Sequence, residues 1–286
     1  MSVPDFLMTD PAPDLTPAAT TPAVAFQSAG ETLLGVLHVP AGPGPHPVVV
    51  LCHGFPGYER NFDLAQALRR AGYASLVFHY RGSWGIGGSW SWTHVLEDAA
   101  RVTTAVREPD FAAAHRLDPE RLAVVGHSVG GFTALMTAAA DPSIAVVASV
   151  AGFDFGRAAA DCRADPARRS RYLELFGDVA PLRGTGAEAL LAEMEEAGDS
   201  WSLAGLAPRL TDRAVLLVGT GRDDVTPAPF HHDPVVSAYR AHPVGRLEDH
   251  VFPTDHGLSD HRVRLTRTLA DFLHRHLPPS PGGIDG

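Results

Sequence analysis

The chain has 286 residues, 45% of them hydrophobic, and a formal net charge of -10 at pH 7. That suits one large domain or two small ones with a sizeable core, and the acidic balance argues against a nucleic-acid partner. All 23 cationic side chains are arginine, which excludes Schiff-base chemistry, a pyridoxal-phosphate anchor and the Walker A lysine.

Residues 1–22 hold five prolines, Asp5, Asp10 and Asp14 but no basic residue. They lack the positive start and apolar middle of a signal peptide, so a flexible leader on a cytoplasmic protein is expected. No apolar run approaches bilayer-spanning length, and no membrane partner is expected. Paired strands follow at Val24–Ser28 and Leu33–Pro40, joined at Ala29-Gly30. Pro47–His53 reads as a buried strand, Asn61–Ala71 as a helix stopped by Gly72, and Ala74–Tyr80 as another strand. A Gly/Ser/Trp-rich loop spans Arg81–Trp92, and Leu96–Arg107 has helical spacing. Leu122–Val125 is a short buried strand, and Gly131–Ala140 a helix ended by Asp141-Pro142. Ile144–Ala151 is the next strand.

The Ala-, Arg- and Glu-rich block 157–209 reads as a small helical insertion, with Thr185-x-x-Glu188 as a helix start. Ala214–Val218, Ala228–Ala241, Arg246–Phe252 and Ser259–Leu277 then read as strand, helix, strand and amphipathic helix, before a tail at 278–286. A strand pair followed by repeated strand–helix units predicts an α/β domain over 23–277. Its mostly parallel eight-stranded sheet would be flanked by helices, with 157–209 as a cap. Cys52 and Cys162 lie in unlike contexts and are expected to be free thiols.

Gly126-His127-Ser128-Val129-Gly130-Gly131 joins the Leu122 strand to its helix and matches the Gly-x-Ser-x-Gly nucleophile elbow. A serine hydroxyl is a poor nucleophile and needs a base, and the base needs a carboxylate to fix its tautomer. In a parallel sheet such groups collect at the carboxyl ends of the strands. Those ends offer His256 as base, in Asp255-His256-Gly257, and Asp223 as acid, in the chain order Ser, Asp, His. Asp154, after the Ile144 strand, is the other candidate acid. Oxyanion donors are expected from the backbone N–H groups of Val129, at a helix start, and Phe55, between Gly54 and Gly57. Trp84, Trp90, Trp92 and Trp201 are candidate walls of a substrate pocket. His127 is expected to shape the elbow. No metal or cofactor is expected.

His53-Gly54-Phe55, Tyr80-Arg81-Gly82, Gly126–Gly131, Gly219…Asp223…Pro227 and Asp255-His256-Gly257 together resemble an α/β-hydrolase over roughly residues 24–277. The likeness extends to catalytic domains of the prolyl-oligopeptidase type and to small feruloyl- and dienelactone-type esterases. The chain has no room for the propeller of the former, and keeps serine where dienelactone hydrolases carry cysteine. The resemblance and the residue reading both imply a serine hydrolase of small or medium apolar or aromatic carboxylic esters, acting as a monomer or homodimer. The alternatives are an aminopeptidase- or acyl-peptidase-like amide hydrolase, with Glu193, Glu195 or Glu196 recruited for the amine, and a non-hydrolytic cyclase, acyltransferase or ligand receptor.

Overall fold

The computed structural model describes residues 6, 7, 9, 10, 12 and 14–279; most of the expected leader start and tail lie outside these. The strands are β1 (Ala23–Ser28), β2 (Glu31–His38), β3 (His46–Cys52), β4 (Ala74–Phe78), β5 (Leu117–His127), β6 (Val146–Val150), β7 (Ala214–Thr220) and β8 (Arg246–Phe252). They form one sheet in the order β1-β2-β4-β3-β5-β6-β7-β8. β2 is antiparallel to β1 and β4, and every pairing from β4 to β8 is parallel.

β3, β4, β6, β7 and the Leu122–His127 part of β5 are buried on both faces because helices cover both sides of a parallel sheet. Val48, Val50 and Cys52 face one side; Val49 and Leu51 face the other. The second side is closed by Leu64 and Leu68 of α1 (Phe62–Arg70) and by Leu265, Leu269 and Phe272 of α10 (Arg262–His276). The first is closed largely by α2 (Trp92–Ala105) and α4 (Val129–Ala140). Each such Val, Leu or Phe, fully buried, contributes roughly 1.5–3 kcal/mol.

Several local features depart from the sequence-based expectation: β5 starts at Leu117, five residues before the expected Leu122, and α2 at Trp92, four before the expected Leu96. α3 (Pro109–His115) was not foreseen: at seven residues it is too short to show a helical period, although Pro109 at its first turn suits a helix start. The helix expected over 228–241 is broken into α8 (Ala228–His231) and α9 (Asp233–Ala241), and Pro234, in the first turn of α9, has no N–H to continue a helix across the join. Thr185 does not cap the insertion helix α7 (Ala187–Ala197), whose N-cap is Gly186. α5 (Phe155–Ala164) and α6 (Arg169–Leu175) complete that insertion, which lies between β6 and β7. No helix among the described residues is long and apolar enough to cross a membrane. Cys52 and Cys162 are both buried and unpaired.

The insertion is stitched to the 81–92 loop by backbone hydrogen bonds. Trp84 N donates to Pro181 O (3.0 Å), Trp90 N to Arg183 O (2.9 Å) and Arg183 N to Gly82 O (2.8 Å). The loop's start is fixed by Asp98 on α2, whose side chain is fully buried. Asp98 accepts from Arg81 N and Nε, both at 2.7 Å, and from Ser28 Oγ at 2.6 Å. Arg81 would keep Glu97 on Nη2 at 2.5 Å, but its N–H and Nε–H and the Ser28 hydroxyl would lose their acceptor, so Asp98→Ala is expected to cost about 2–3 kcal/mol in urea unfolding. A loss below about 1 kcal/mol, the range of a surface pair, would refute this role.

Candidate active site

The turn between β5 and α4 puts Ser128 at φ 61°, ψ -123°, a backbone conformation costly for a residue with a Cβ. The surrounding structure imposes it. Ser128 N donates to Val150 O of β6 at 2.8 Å, while Ser128 O accepts from Gly131 N at 2.9 Å and Phe132 N at 3.2 Å. Glycine is required on both sides. A Cβ on Gly126 would run into the Gly130 backbone, and one on Gly130 into the Cys52 carbonyl at the end of β3. The hydroxyl is thereby held where the loop after β3 also arrives; a Cβ on Gly54 would press on that of Ser128 at 2.9 Å.

His256 follows β8 and reaches Ser128 from the far side of two intervening strands. Its Nε2 lies 2.9 Å from Ser128 Oγ and its Nδ1 2.7 Å from Asp223 Oδ2. Asp223 sits in the loop after β7 with its side chain fully buried, while that of His256 is 24% exposed. Burial alone would raise the Asp223 carboxyl, but the hydrogen bond and charge of His256, with donors from Thr220 and Thr226, outweigh it. They hold the group well below the usual carboxylate range. An ionised Asp223 accepts from His256 Nδ1–H, which leaves Nε2 as a lone pair facing the serine O–H. Asp154 is engaged elsewhere. Its Oδ1 accepts from Arg157 N (3.1 Å) and Leu203 N (3.2 Å), capping α5.

His127 is buried beside His256, with ring centroids 5.0 Å apart, and its Nε2–H donates to His256 O at 2.7 Å. Burial, then the nearby His256, pushes its pKa down to about 3, so it is a neutral donor at ordinary pH. Val129 opens α4, where the first N–H groups lack intrahelical acceptors. Phe55 adjoins Gly54 against Ser128, and its ring packs on Trp92 (5.2 Å), Phe176 (6.1 Å) and Trp90 (6.2 Å).

The four tryptophans do not share one environment. Trp90 and Trp92 are buried in an aromatic cluster with Phe55, Phe155 and Phe176, and Trp92 Nε1 donates to Leu190 O at 2.9 Å. Trp201 packs on Phe132 and Phe155. Trp84 is half-buried, donates to Pro56 O at 3.0 Å and carries the Arg60 guanidinium 4.2 Å above its ring. Phe153, Phe155 and Phe176 were missed by sequence reasoning, although Gly152-Phe153-Asp154-Phe155 directly follows a strand end. Thr220 and Thr226 were missed too. The Asp223-x-x-Thr226 spacing, typical of a side-chain-closed turn, was their only signal.

Of the cap glutamates, Glu193 accepts the Trp92 and Thr93 N–H groups (2.8 and 2.7 Å) at the start of α2, and Glu195 pairs with Arg169 at 3.3 Å. Both carboxylates are thus occupied. Among the described residues no group of three His, Cys, Asp or Glu is placed to hold a metal ion. His231 Nδ1 instead accepts from Asp154 N at 3.0 Å.

A family model for the alpha/beta hydrolase fold matches residues 47–177. Among curated proteins, the chain is 33% identical over 182 residues to a putative esterase, NocK, of Nocardia uniformis subsp. tsuyamanensis, covering 58% of this chain and 50% of that protein. It is 29% identical over 118 residues to 2,6-dihydropseudooxynicotine hydrolase of Paenarthrobacter nicotinovorans, covering 41% and 31%. The chain thus spans half or less of the length of these relatives. Among solved structures, a Pyrococcus furiosus esterase superposes with a TM-score of 0.65 at 14% identity, covering 91% of this chain and 92% of that one. A Pyrococcus horikoshii acylaminoacyl peptidase gives 0.68 at 19% identity, covering 95% and 44%.

Proposed function

We propose that this chain, an α/β-hydrolase by fold, is a serine hydrolase of carboxylic esters with Ser128 as nucleophile, His256 as base and Asp223 as the acid that orients it. The observation that carries this reading is the unbroken hydrogen-bonded line from Ser128 Oγ through His256 to Asp223. Its likeness to the Nocardia putative esterase over 182 residues favours an ester.

In this reading His256 Nε2 takes the Ser128 proton as Oγ attacks the ester carbonyl, and the carbonyl oxygen becomes an oxyanion held by the Phe55 and Val129 N–H groups. The C–O bond to the alcohol then breaks, and the alcohol leaves with the proton from His256. Water, giving a proton to His256, attacks the acyl-enzyme; the acid departs and Ser128 Oγ regains its proton. The partly exposed ring of Phe55 beside Ser128 supports an apolar or aromatic acyl group, while Trp90, Trp92, Phe155 and Phe176 are buried behind it and back that ring rather than wall a pocket.

The amide-hydrolase reading has the peptidase superposition in its favour. Against it stands the engagement of Glu193 and Glu195, which leaves, of the three cap glutamates, only the solvent-exposed Glu196 for a substrate amine. The test pairs a fluorophosphonate with two substrate panels. The probe should form an Oγ–P bond at Ser128 with loss of fluoride, and p-nitrophenyl esters should turn over at least tenfold faster, in kcat/KM, than aminoacyl and acyl-aminoacyl p-nitroanilides. Faster anilide turnover would move the assignment to amides; labelling with no turnover of either panel would point to a non-hydrolytic role.

A further inference from the structure

Asp223 has more hydrogen-bond donors than one carboxylate oxygen can serve. Oδ1 accepts the backbone N–H groups of Val225 (2.8 Å) and Thr226 (2.9 Å). Oδ2 has three neighbours: Thr220 Oγ1 at 2.5 Å, Thr226 Oγ1 at 2.7 Å and His256 Nδ1 at 2.7 Å. An oxygen of an ionised carboxylate offers about two lone-pair sites, so the third donor is the least well served. Thr226 alone among the three has somewhere else to go: its Oγ1 also lies 3.2 Å from Ala151 O, at the end of β6. The same oxygen stands 3.2 Å from His256 Nδ1.

We infer that Thr226 is a positioning residue of the His256–Asp223 pair, its hydroxyl turning between Asp223 Oδ2 and Ala151 O as His256 changes charge. The inference rests on the triad reading above. While His256 is neutral its hold on Oδ2 is the weaker one, and the Thr226 O–H donates to Oδ2. When His256 takes the Ser128 proton, its charge-assisted Nδ1–H bond to Oδ2 shortens and strengthens. The Thr226 proton then swings to Ala151 O, and the Thr226 oxygen turns a lone pair toward Nδ1–H. No bond to carbon forms or breaks, and the proton stays on Thr226 throughout. The imidazolium thereby gains a second acceptor while Asp223 loses a competing donor. Both changes favour the charged state over the resting one, so they act on the chemical step rather than on substrate binding. Thr220 lacks this role. Its hydroxyl donates to Oδ2, where it fixes the carboxylate's rotation.

Three variants test this. Thr226→Val removes the hydroxyl and keeps the branched shape, Thr226→Ala removes both, and Thr226→Ser keeps the hydroxyl alone. The readouts are the second-order rate of fluorophosphonate labelling at Ser128, which needs no knowledge of the natural substrate, and the split between kcat and KM on a p-nitrophenyl ester.

A hydrogen bond to a charged group is worth enough to expect about a ten- to hundredfold fall in kcat and in labelling rate for Thr226→Val and Thr226→Ala, with KM within about twofold. Thr226→Ser should recover to within about threefold of the parent. The inference is overturned if Thr226→Val labels as fast as the parent, or if Thr226→Ser is as slow as Thr226→Val, which would make the methyl and its packing the important part. If the parent chain itself fails to label at Ser128, the triad reading falls first and the inference with it. A parent that labels beside an unaffected Thr226→Val removes the inference alone.

Discussion

On the proposed mechanism Ser128→Ala should abolish hydrolysis for practical purposes: kcat on any substrate the parent turns over should fall by about 10⁴–10⁶-fold. The loss is that large because, in the proposed triad, the other two members act only through the serine oxygen. With no Oγ at the elbow, His256 has no proton to take and no acyl-enzyme forms. The variant should still fold, since the backbone bonds that hold the turn, from Ser128 N to Val150 O and from Gly131 N to Ser128 O, do not involve the hydroxyl. Substrate binding should therefore persist while turnover disappears. Steady-state kinetics with a binding measurement on the same preparation check both halves. Activity above about a tenth of the parent would remove Ser128 from the chemistry.

Asp223→Asn is the second large effect, with an expected fall in kcat of about 10⁴-fold at neutral pH and little change in fold. An asparagine side chain can place its N–H₂ toward His256 Nδ1. The ring then keeps its proton on Nε2, facing Ser128, and cannot accept another. The acceptor roles of Oδ1 toward Val225 N and Thr226 N can be kept by the amide oxygen, so the loop stays closed. The comparison that isolates the acid is Asp154→Asn. Its Oδ1 can go on accepting from Arg157 N and Leu203 N, so kcat should stay within about threefold of the parent. An active Asp223→Asn beside a disabled Asp154→Asn would reverse the assignment.

The central strands and the elbow were legible because their signals are local. Three consecutive valines in β3, a Leu-Ala-Val-Val run in β5 and glycines two positions either side of Ser128 each have one physical use. The loops after β7 and β8 were found by a rule of architecture, that strand ends gather groups, rather than by their own composition. What stayed hidden depends on contacts between distant segments. Trp90 and Trp92 belong to a Gly/Ser-rich stretch that reads as an open loop. They are buried because the insertion pairs with it, Glu193 reaching Trp92 N across 101 positions. The double use of Thr226 was likewise invisible, since Ala151 and His256 meet it only when β6, β7 and β8 lie side by side.

The order of strands also sets a timetable for the chain as it is made. Ser128 and His256 are 128 positions apart. The central part of the sheet is complete in sequence long before β8 and the loop after it exist. The backbone bonds from Ser128 to Val150 of β6 and to Gly131 and Phe132 of α4 hold the elbow, and none of them needs the segment that carries the base. On the proposed triad, nucleophilic reactivity at Ser128 should then appear only when the last strand docks beside β7 and brings His256 to it. A chain cut short of His256 should, on that reading, be inert toward a fluorophosphonate.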